Sequence, residues 1–545
     1  MSINITEKLS EFAGNMGNDP AVIVTGTSGG DQQYTFQQLE QMSSAAAGGL
    51  QQLGVRKGTR VVLMVMPGIE FFVVVFALFK LGAVLVGVDP GMGIRNLGRC
   101  LAEAEPAVFI GNRKAHLARM LLRWSRRTLQ LLISTEQVPL LFGMTRLTQV
   151  IIRGSSQPLE QAVAGGDDMA AILFTSGSTG PPKGAVYSHT NFYAQVHAIQ
   201  QAFNIQPGER DMGTFPLFAL FAPVMGMTAI IPCMDFTRPG SVDPQRLVAT
   251  VNRYAATTMF GSPALLDRLG RWGAGKPERM PSLRRVLSAG APVAPSILQR
   301  FSGLLPGDTP IFTPYGATEA LPVSAISSQE ILAETAALTA NGKGVCIGRP
   351  VAGLQAWIIR ITDTAIPEWE EGLQLPVHTI GEIVVSADQV TSSYYNRDEA
   401  TRLAKIKDTN GNIYHRMGDL GYLDELGRLW FCGRKSQRVI TSGTTLFTIP
   451  CEAVFNTHPL VFRSALVGVT QHGQTRPVIC IELEPLTHDP DYETIKNELF
   501  ATGAQFEHTA LITDILFHPG FPVDIRHNAK IGRESLAVWA ARELA

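Results

Sequence analysis

What the chain lacks bounds it first. Its 545 residues include six cysteines, Cys100, Cys233, Cys346, Cys432, Cys451 and Cys480, scattered with no C-x-x-C pair. This excludes a disulfide framework and a thiolate zinc site, and fits a reducing compartment. Charge of one sign is missing too: 46 Lys+Arg against 47 Asp+Glu leave a formal net charge of −1. A nucleic-acid binder normally carries a strong basic excess, so no nucleic-acid partner is expected. The opening Met1-Ser2-Ile3-Asn4-Ile5-Thr6-Glu7 has no basic region followed by an apolar run, so no signal peptide is read and a cytoplasmic location is expected. One long apolar run, residues 71–88, could be mistaken for a membrane span, but Lys80, Gly82 and Gly87 punctuate it and it ends in Asp89-Pro90. It predicts a buried helix, a Leu-Gly-Ala turn and a buried strand over residues 84–88, with no transmembrane segment. Internal repeats and low-complexity tracts are absent as well.

The most informative stretch present is Phe174-Thr175-Ser176-Gly177-Ser178-Thr179-Gly180-Pro181-Pro182-Lys183-Gly184. It follows an apolar run that reads as a short buried strand. Glycines let the backbone approach a ligand closely, and successive N–H groups form a nest for an anion. The hydroxyls add rotatable donors and Lys183 a point charge. Together they form a polyphosphate cradle. A Walker A loop is disfavoured, because Pro182 precedes Lys183 and Gly184 follows it, where Gly and Ser or Thr are required. A flexible Gly/Ser linker has no need of the strand before it or of Pro-Pro-Lys-Gly inside it.

The stretch resembles the phosphate loop of the adenylate-forming superfamily: acyl-CoA synthetases, luciferases and peptide-synthetase adenylation domains. Every fixed position matches, from the aromatic Phe174 to Gly184. The resemblance implies ATP as a substrate and Mg²⁺ as its companion, with Thr175, Ser176, Gly177, Ser178, Thr179, Gly180 and Lys183 holding phosphate. Tyr315-Gly316-Ala317-Thr318-Glu319 matches a second motif without departure. There an aromatic stacks on adenine, Thr318 meets the α-phosphate and Glu319 offers magnesium a hard oxygen. Gly290 and Ala291, in Ser288-Ala289-Gly290-Ala291-Pro292, match the segment that packs on adenine. Asp419, in Tyr414-His415-Arg416-Met417-Gly418-Asp419, and the following Arg434 match the ribose contacts, although Met417 stands where the family has Thr. His415 reads as structural. Lys530, near the C-terminus, matches the catalytic lysine that offsets charge between carboxylate and α-phosphate. Ala529 replaces the family's Gly beside it, and Ser436 replaces Asp or Lys at the hinge.

Strands alternating with helices over residues 20–90, and again after the phosphate loop, predict an α/β fold with parallel sheets covered by helices. Short alternating strands after residue 351 suggest a small antiparallel barrel-like subdomain. The expected organisation is an adenylation domain over residues 1–435 and a mobile α/β lid over 436–545. Residues 113–127 form a basic stretch with Leu, Met and Trp interleaved, read either as a surface-docking helix or as a solvated one. Residues 138–144 are apolar and either line an acyl route or cover an edge. In Phe215-Pro216-Leu217-Phe218-Ala219, Ala219 replaces a usual His, implying extra space for a bulky apolar acid; Phe215, Phe218, Phe221 and Met225 read as its wall.

Three stretches, residues 89–104, 114–119 and 517–533, resemble the olefin β-lactone synthetases. That group implies adenylation of a long-chain 2-alkyl-3-hydroxy fatty acid, followed by attack of its own β-hydroxyl, release of AMP and closure of a β-lactone. Such a product implies olefin-pathway partners, a β-lactone decarboxylase and a ketone reductase, with the basic stretch as a possible contact. His189 and His527 are candidate bases for the hydroxyl. Two alternatives stay open: a long-chain acyl-CoA synthetase, and a non-catalytic binding module on a worn adenylation fold. Intact Lys183, Thr318, Glu319, Asp419 and Lys530 count against the second.

Overall fold

The structure is a computed structural model that describes residues 4–26, 30–136, 143–156, 164–175, 181–275, 279–484, 489–523 and 531–545. Two large sheets carry the N-terminal part. One has seven strands in the order Thr145–Arg146, Leu131–Ser134, Val108–Gly111, Arg60–Met64, Val84–Val88, Met169–Thr175 and Lys183–Ser188. All neighbours in it are parallel except the last pair, a hairpin that turns through the phosphate-loop region. The second sheet has 14 strands, and its parallel half runs Pro20–Val24, Thr228–Ile231, Arg210–Met212, Thr258–Phe260, Arg285–Leu287 and Ile311–Ala317.

The long apolar run is buried because it lies between these sheets. Helix Ile69–Leu81 shares one core with Leu85 and Ala171 of the first sheet and Val22, Ala229 and Ile231 of the second. Gly82 ends it in the left-handed conformation, with φ 64°, and strand Val84–Val88 follows. Lys80, inside the run, is neutralised by Glu40 and also donates to Ser44 Oγ at 3.0 Å. Among the described residues, no helix is long and apolar enough to cross a membrane.

The strands after residue 351 are antiparallel, as expected. Val345–Pro350 pairs on one side with Ala320–Ser327 and on the other with Leu429–Arg434. Both its edges are therefore consumed in a bridge, and the sheet continues outward through Ile413–Leu423 and Gly381–Ser386 to Gln355–Ile359. Beyond that last strand Ile359 bridges Gln374, and Glu368 bridges Lys407 of the short strand paired with Ile413–Leu423, so residues 368–374 link the two outer edges around a small apolar cluster of Ile359, Val384 and Ile406.

The basic stretch is shorter as a helix than its composition suggests. Helix Arg113–Leu121 stops where Arg123 and Ser125 take positive φ, 54° and 47°. His116 is buried with Nε2 at 2.9 Å from the Ile133 carbonyl, and Trp124 turns inward to pack with Leu97 and Phe109. Leu117, Met120, Leu121 and Leu122 stay exposed.

After the turn Lys435–Gln437 come a hairpin, Val461–Gln471 with Gln474–Leu483, and Asp514–Phe517 parallel to its second strand. Helices Thr448–Phe455, Tyr492–Gly503 and Arg533–Glu543 accompany this three-stranded sheet, which has its own apolar clusters.

Candidate active site

The nucleotide motifs converge because parallel strands end at one edge, where their loops collect. Thr175, Lys183, Gly290, Ala291, Tyr315, Gly316, Thr318, Glu319, Asp419 and Arg434 all line one cavity of ≈ 1770 Å³. Ser176, Gly177, Ser178, Thr179, Gly180, Lys530 and His527 lie outside the described residues, as do residues 138–142 of the apolar stretch. The ends of both loops are described. Thr175 pairs with Lys183 and Phe174 with Gly184, so the phosphate loop springs from a closed hairpin. Gly184 is required there, since a Cβ would come within 2.6 Å of Ile172 Cγ2. On the other side, Val523 and Ile531 flank Lys530, pair through an isolated bridge and both line the cavity.

Asp419 and Arg434 face each other across neighbouring strands, with Arg434 Nη1 2.9 Å from Asp419 Oδ1. Tyr315 donates its hydroxyl to Asp419 Oδ2 at 2.5 Å. Burial pushes the Asp419 carboxyl above the usual range, while the Arg434 guanidinium and the Tyr315 hydroxyl oppose that rise. Asp419 Oδ1 is buried with the Arg434 guanidinium as its near partner, and its second lone pair leaves capacity for a donor on a ligand. Met417, in place of the family's Thr, both lines the cavity and belongs to an apolar cluster with Ile383 and Val385.

Glu319 is held from behind. Tyr394 donates to its Oε1 at 2.7 Å, and the Lys183 ammonium lies 5.2 Å from the centre of the same tyrosine ring. Thr391 N–H donates to the Glu319 carbonyl at 2.9 Å, and Tyr187 donates to the Thr318 carbonyl. Buried Lys405 donates to the Thr391 carbonyl and, at 3.2 Å, to Thr391 Oγ1. Burial draws the Lys405 ammonium down to about 7. These supporting residues carry no sequence motif. The bridge between Ala185 and Tyr394 brings them in, and a Tyr394-Tyr395 pair was the sole local signal.

Several expected residues stand elsewhere. His189 does not line the cavity: it is buried at the start of helix His189–Ala202, edge-on to Phe79 at 6.0 Å. Its ring packs in the core against Phe79. His415 lines the cavity but is buried, with Nδ1 at 3.1 Å from the Ala404 carbonyl, and burial holds its imidazole well below the usual value. Phe215, Phe218 and Phe221 line the cavity, whereas Met225 and Ala219 do not. Ala219 is buried against strand Arg210–Met212's exit, so close that a Cβ on Gly213 would lie 2.5 Å from its own.

Among the described residues no cluster of three His, Cys, Asp or Glu could hold a metal alone. The site gathers the Glu319 and Asp419 carboxylates with Lys183 and Arg434 in one cavity whose other walls are largely apolar. The fold and this constellation define a nucleotide-dependent ligase. The AMP-binding enzyme family matches residues 9–395, and the chain belongs to it. It is an AMP-forming ligase with ATP as a substrate.

Within that class the chain is similar to two olefin beta-lactone synthetases. It is 47% identical over 517 residues to that of Xanthomonas campestris pv. campestris, covering 94% of this chain and 92% of that one. It is 45% identical over 552 residues to that of Stenotrophomonas maltophilia, covering 99% and 98%. In structure it resembles the amide bond synthetase McbA from Marinactinospora thermotolerans, with a TM-score of 0.80, 21% identity and coverage of 99% and 100%.

Proposed function

We propose that this enzyme is an ATP-dependent β-lactone synthetase. A long-chain 2-alkyl-3-hydroxy acid attacks the α-phosphorus of ATP through its carboxylate, and diphosphate leaves. The β-hydroxyl oxygen then attacks the acyl carbon, loses its proton, and AMP leaves as the four-membered ring closes. Intramolecular attack benefits from effective molarities of about 10⁵–10⁸ M, which offsets ring strain. The reading is carried by one observation: the nucleotide-lining residues and a long wall of Leu, Met and Phe side chains share a single cavity. The similarity to two olefin beta-lactone synthetases supports the same substrate class.

In this reading Lys183 and the loop from Thr175 to Gly180 hold the β- and γ-phosphates. Gly290, Ala291 and Tyr315 sandwich adenine, Asp419 and Arg434 hold the ribose hydroxyls, and Thr318 meets the α-phosphate. The free accepting capacity of Asp419 Oδ1 supports the ribose assignment. Glu319 fits a magnesium ligand, as a hard oxygen donor on the cavity wall oriented by Tyr394, and the phosphates would complete the shell. Bound there, the ion would neutralise phosphate charge. Lys530 is assigned the carboxylate–phosphate bridge, supported by its flanking residues Val523 and Ile531 on the cavity wall. Ser436, also on that wall, is assigned as the hinge between a unit of residues 1–435 and a lid of 436–545. We place the enzyme in the cytoplasm, feeding a decarboxylase and fed by a ketone reductase.

The test is product analysis by mass spectrometry and NMR after incubation with ATP and a synthetic 2-alkyl-3-hydroxy acid, with and without CoA. Lactone formed equally in both is expected. A CoA-dependent thioester without lactone would instead assign an acyl-CoA synthetase.

A further inference from the structure

The cavity does not stop at one face of the seven-stranded sheet. Along a strand, successive side chains point to opposite faces. At the ends of three neighbouring strands, residues of both parities line the cavity: Leu63 and Met64, Leu85 and Val88, Leu173 and Phe174. Leu63, Leu85 and Leu173 pack in the core between the two large sheets, together with Phe79, Phe192 and Phe221. Met64, Val88 and Phe174 pack in a separate core on the opposite face, with Leu97, Ala115, Ala118 and Trp124. Phe79, Phe192 and Phe221, and equally Leu97, Ala115, Ala118 and Trp124, also line the cavity. The cavity therefore straddles the sheet edge and descends on both sides.

Small residues keep both descents open. Gly87, at the edge, lines the cavity, and a Cβ there would lie 2.8 Å from Leu173 Cδ2. On the far side, Ala115 and Ala118 present single methyl groups from helix Arg113–Leu121. Trp124 closes that side, its indole Nε1 3.2 Å from where a Cβ on Gly98 would stand. The tight turn after Leu121 is what brings the indole inward.

We infer that the two sides are separate alkyl arms, one for each chain of an α-branched acid, and that Leu97, Ala118 and Trp124 set the length of chain accepted by the far arm. Two chains leave adjacent carbons of such an acid. A carboxyl at the sheet edge, near Gly87, lets one chain descend on each face without a bend in either. A linear acid needs only one arm. This inference rests on the β-lactone reading for the substrate's branching, but not on ring closure itself.

The test uses acid-dependent diphosphate release, which reads adenylation whatever happens afterwards. Four branched acids are compared, long or short in the 2-alkyl chain and long or short in the 3-alkyl chain. In Ala118→Phe, the kcat/KM ratio of long to short falls by at least about tenfold for one of the two chains, the worth of two buried methylenes. The ratio for the other chain stays within about twofold. Trp124→Leu, which deepens the arm, shifts the ratio for that same chain the opposite way, and answers the question should Ala118→Phe not fold. Ratios that move together for both chains, or for neither, overturn the inference. If diphosphate is released with the expected selectivity but no lactone appears, the arms stand and the lactone reading falls.

Discussion

Asp419 is buried beside Arg434 and Tyr315 with accepting capacity to spare. Hydrogen bonds to a charged group contribute about 1.5–3 kcal/mol. Asp419→Asn is therefore expected to raise KM for ATP by at least about tenfold, measured by ATP–diphosphate exchange; an unchanged KM would remove it from the ribose. Lys530→Ala is expected to cut adenylation by several orders of magnitude while ATP still binds, as read by equilibrium titration. Lys405 gives a pH signature. Its folded value of about 7 lies below the ordinary 10.5. Between those values the unfolded chain holds a proton that the folded chain does not. Stability therefore rises with pH in that window, by up to ~1.4 kcal/mol per pH unit, and the penalty is fully present below it. In Lys405→Met that rise disappears. Urea unfolding of both proteins at several pH values checks it, and parallel curves would refute it.

Single elements show how local chemistry and packing divide the work. Thr35 caps helix Phe36–Gln52 with a full capping box, its hydroxyl accepting from Gln38 N–H while the Gln38 side chain accepts from Thr35 N–H. The preference of Thr for this position is local and needs no tertiary contact. Thr35→Ala should cost ~1 kcal/mol in denaturant unfolding. The opposite case is Arg533, which begins helix Arg533–Glu543 and donates from Nη2 to Glu452 Oε1 and Oε2 at 2.8 and 2.6 Å. Glu452 is buried and 81 residues away, so no pattern in the sequence announced the pair. Arg533→Met leaves that carboxylate without its partner, and a cost of ~3–5 kcal/mol is expected for unfolding of the C-terminal unit. The same change should lower adenylation, because Arg533 anchors the segment that carries Lys530. The basic stretch after residue 112 lies between these cases: its helix starts on the local cap of Asn112, whose side chain accepts from Ala115 N–H, but its end is set by where Trp124 finds a core.

At the scale of the molecule, the site lies where two sheets and a C-terminal unit meet. Arg438 reaches back from the C-terminal unit to Asp363 at 2.7 Å, and Lys435 to Glu382 at 3.2 Å. Between them sits Ser436, the proposed hinge. A proline fixes φ near −65° and removes an N–H, so Ser436→Pro should hinder rotation of the lid. The expected result is a normal first burst of diphosphate followed by turnover slowed by at least about fivefold, as for a closure step that limits release. Rapid-quench kinetics distinguish this from a loss of the burst, which would argue against the hinge.

The sequence by itself determined the AMP-binding family and the α/β class. The family's motifs are short and contiguous, and helix caps, glycine turns and alternating apolar runs are local in the same way. Tertiary structure alone decided what stands behind and beside those motifs. Strand pairing, not spacing, sets Tyr394 against Glu319 and Lys405 beneath it. It also joins the antiparallel strands after residue 351 to the large sheet, and leaves Ala219 and His189 off the cavity wall. The two-sided chamber depends on which strands end together, and residues far apart in the chain acquire a common face only when the sheet assembles.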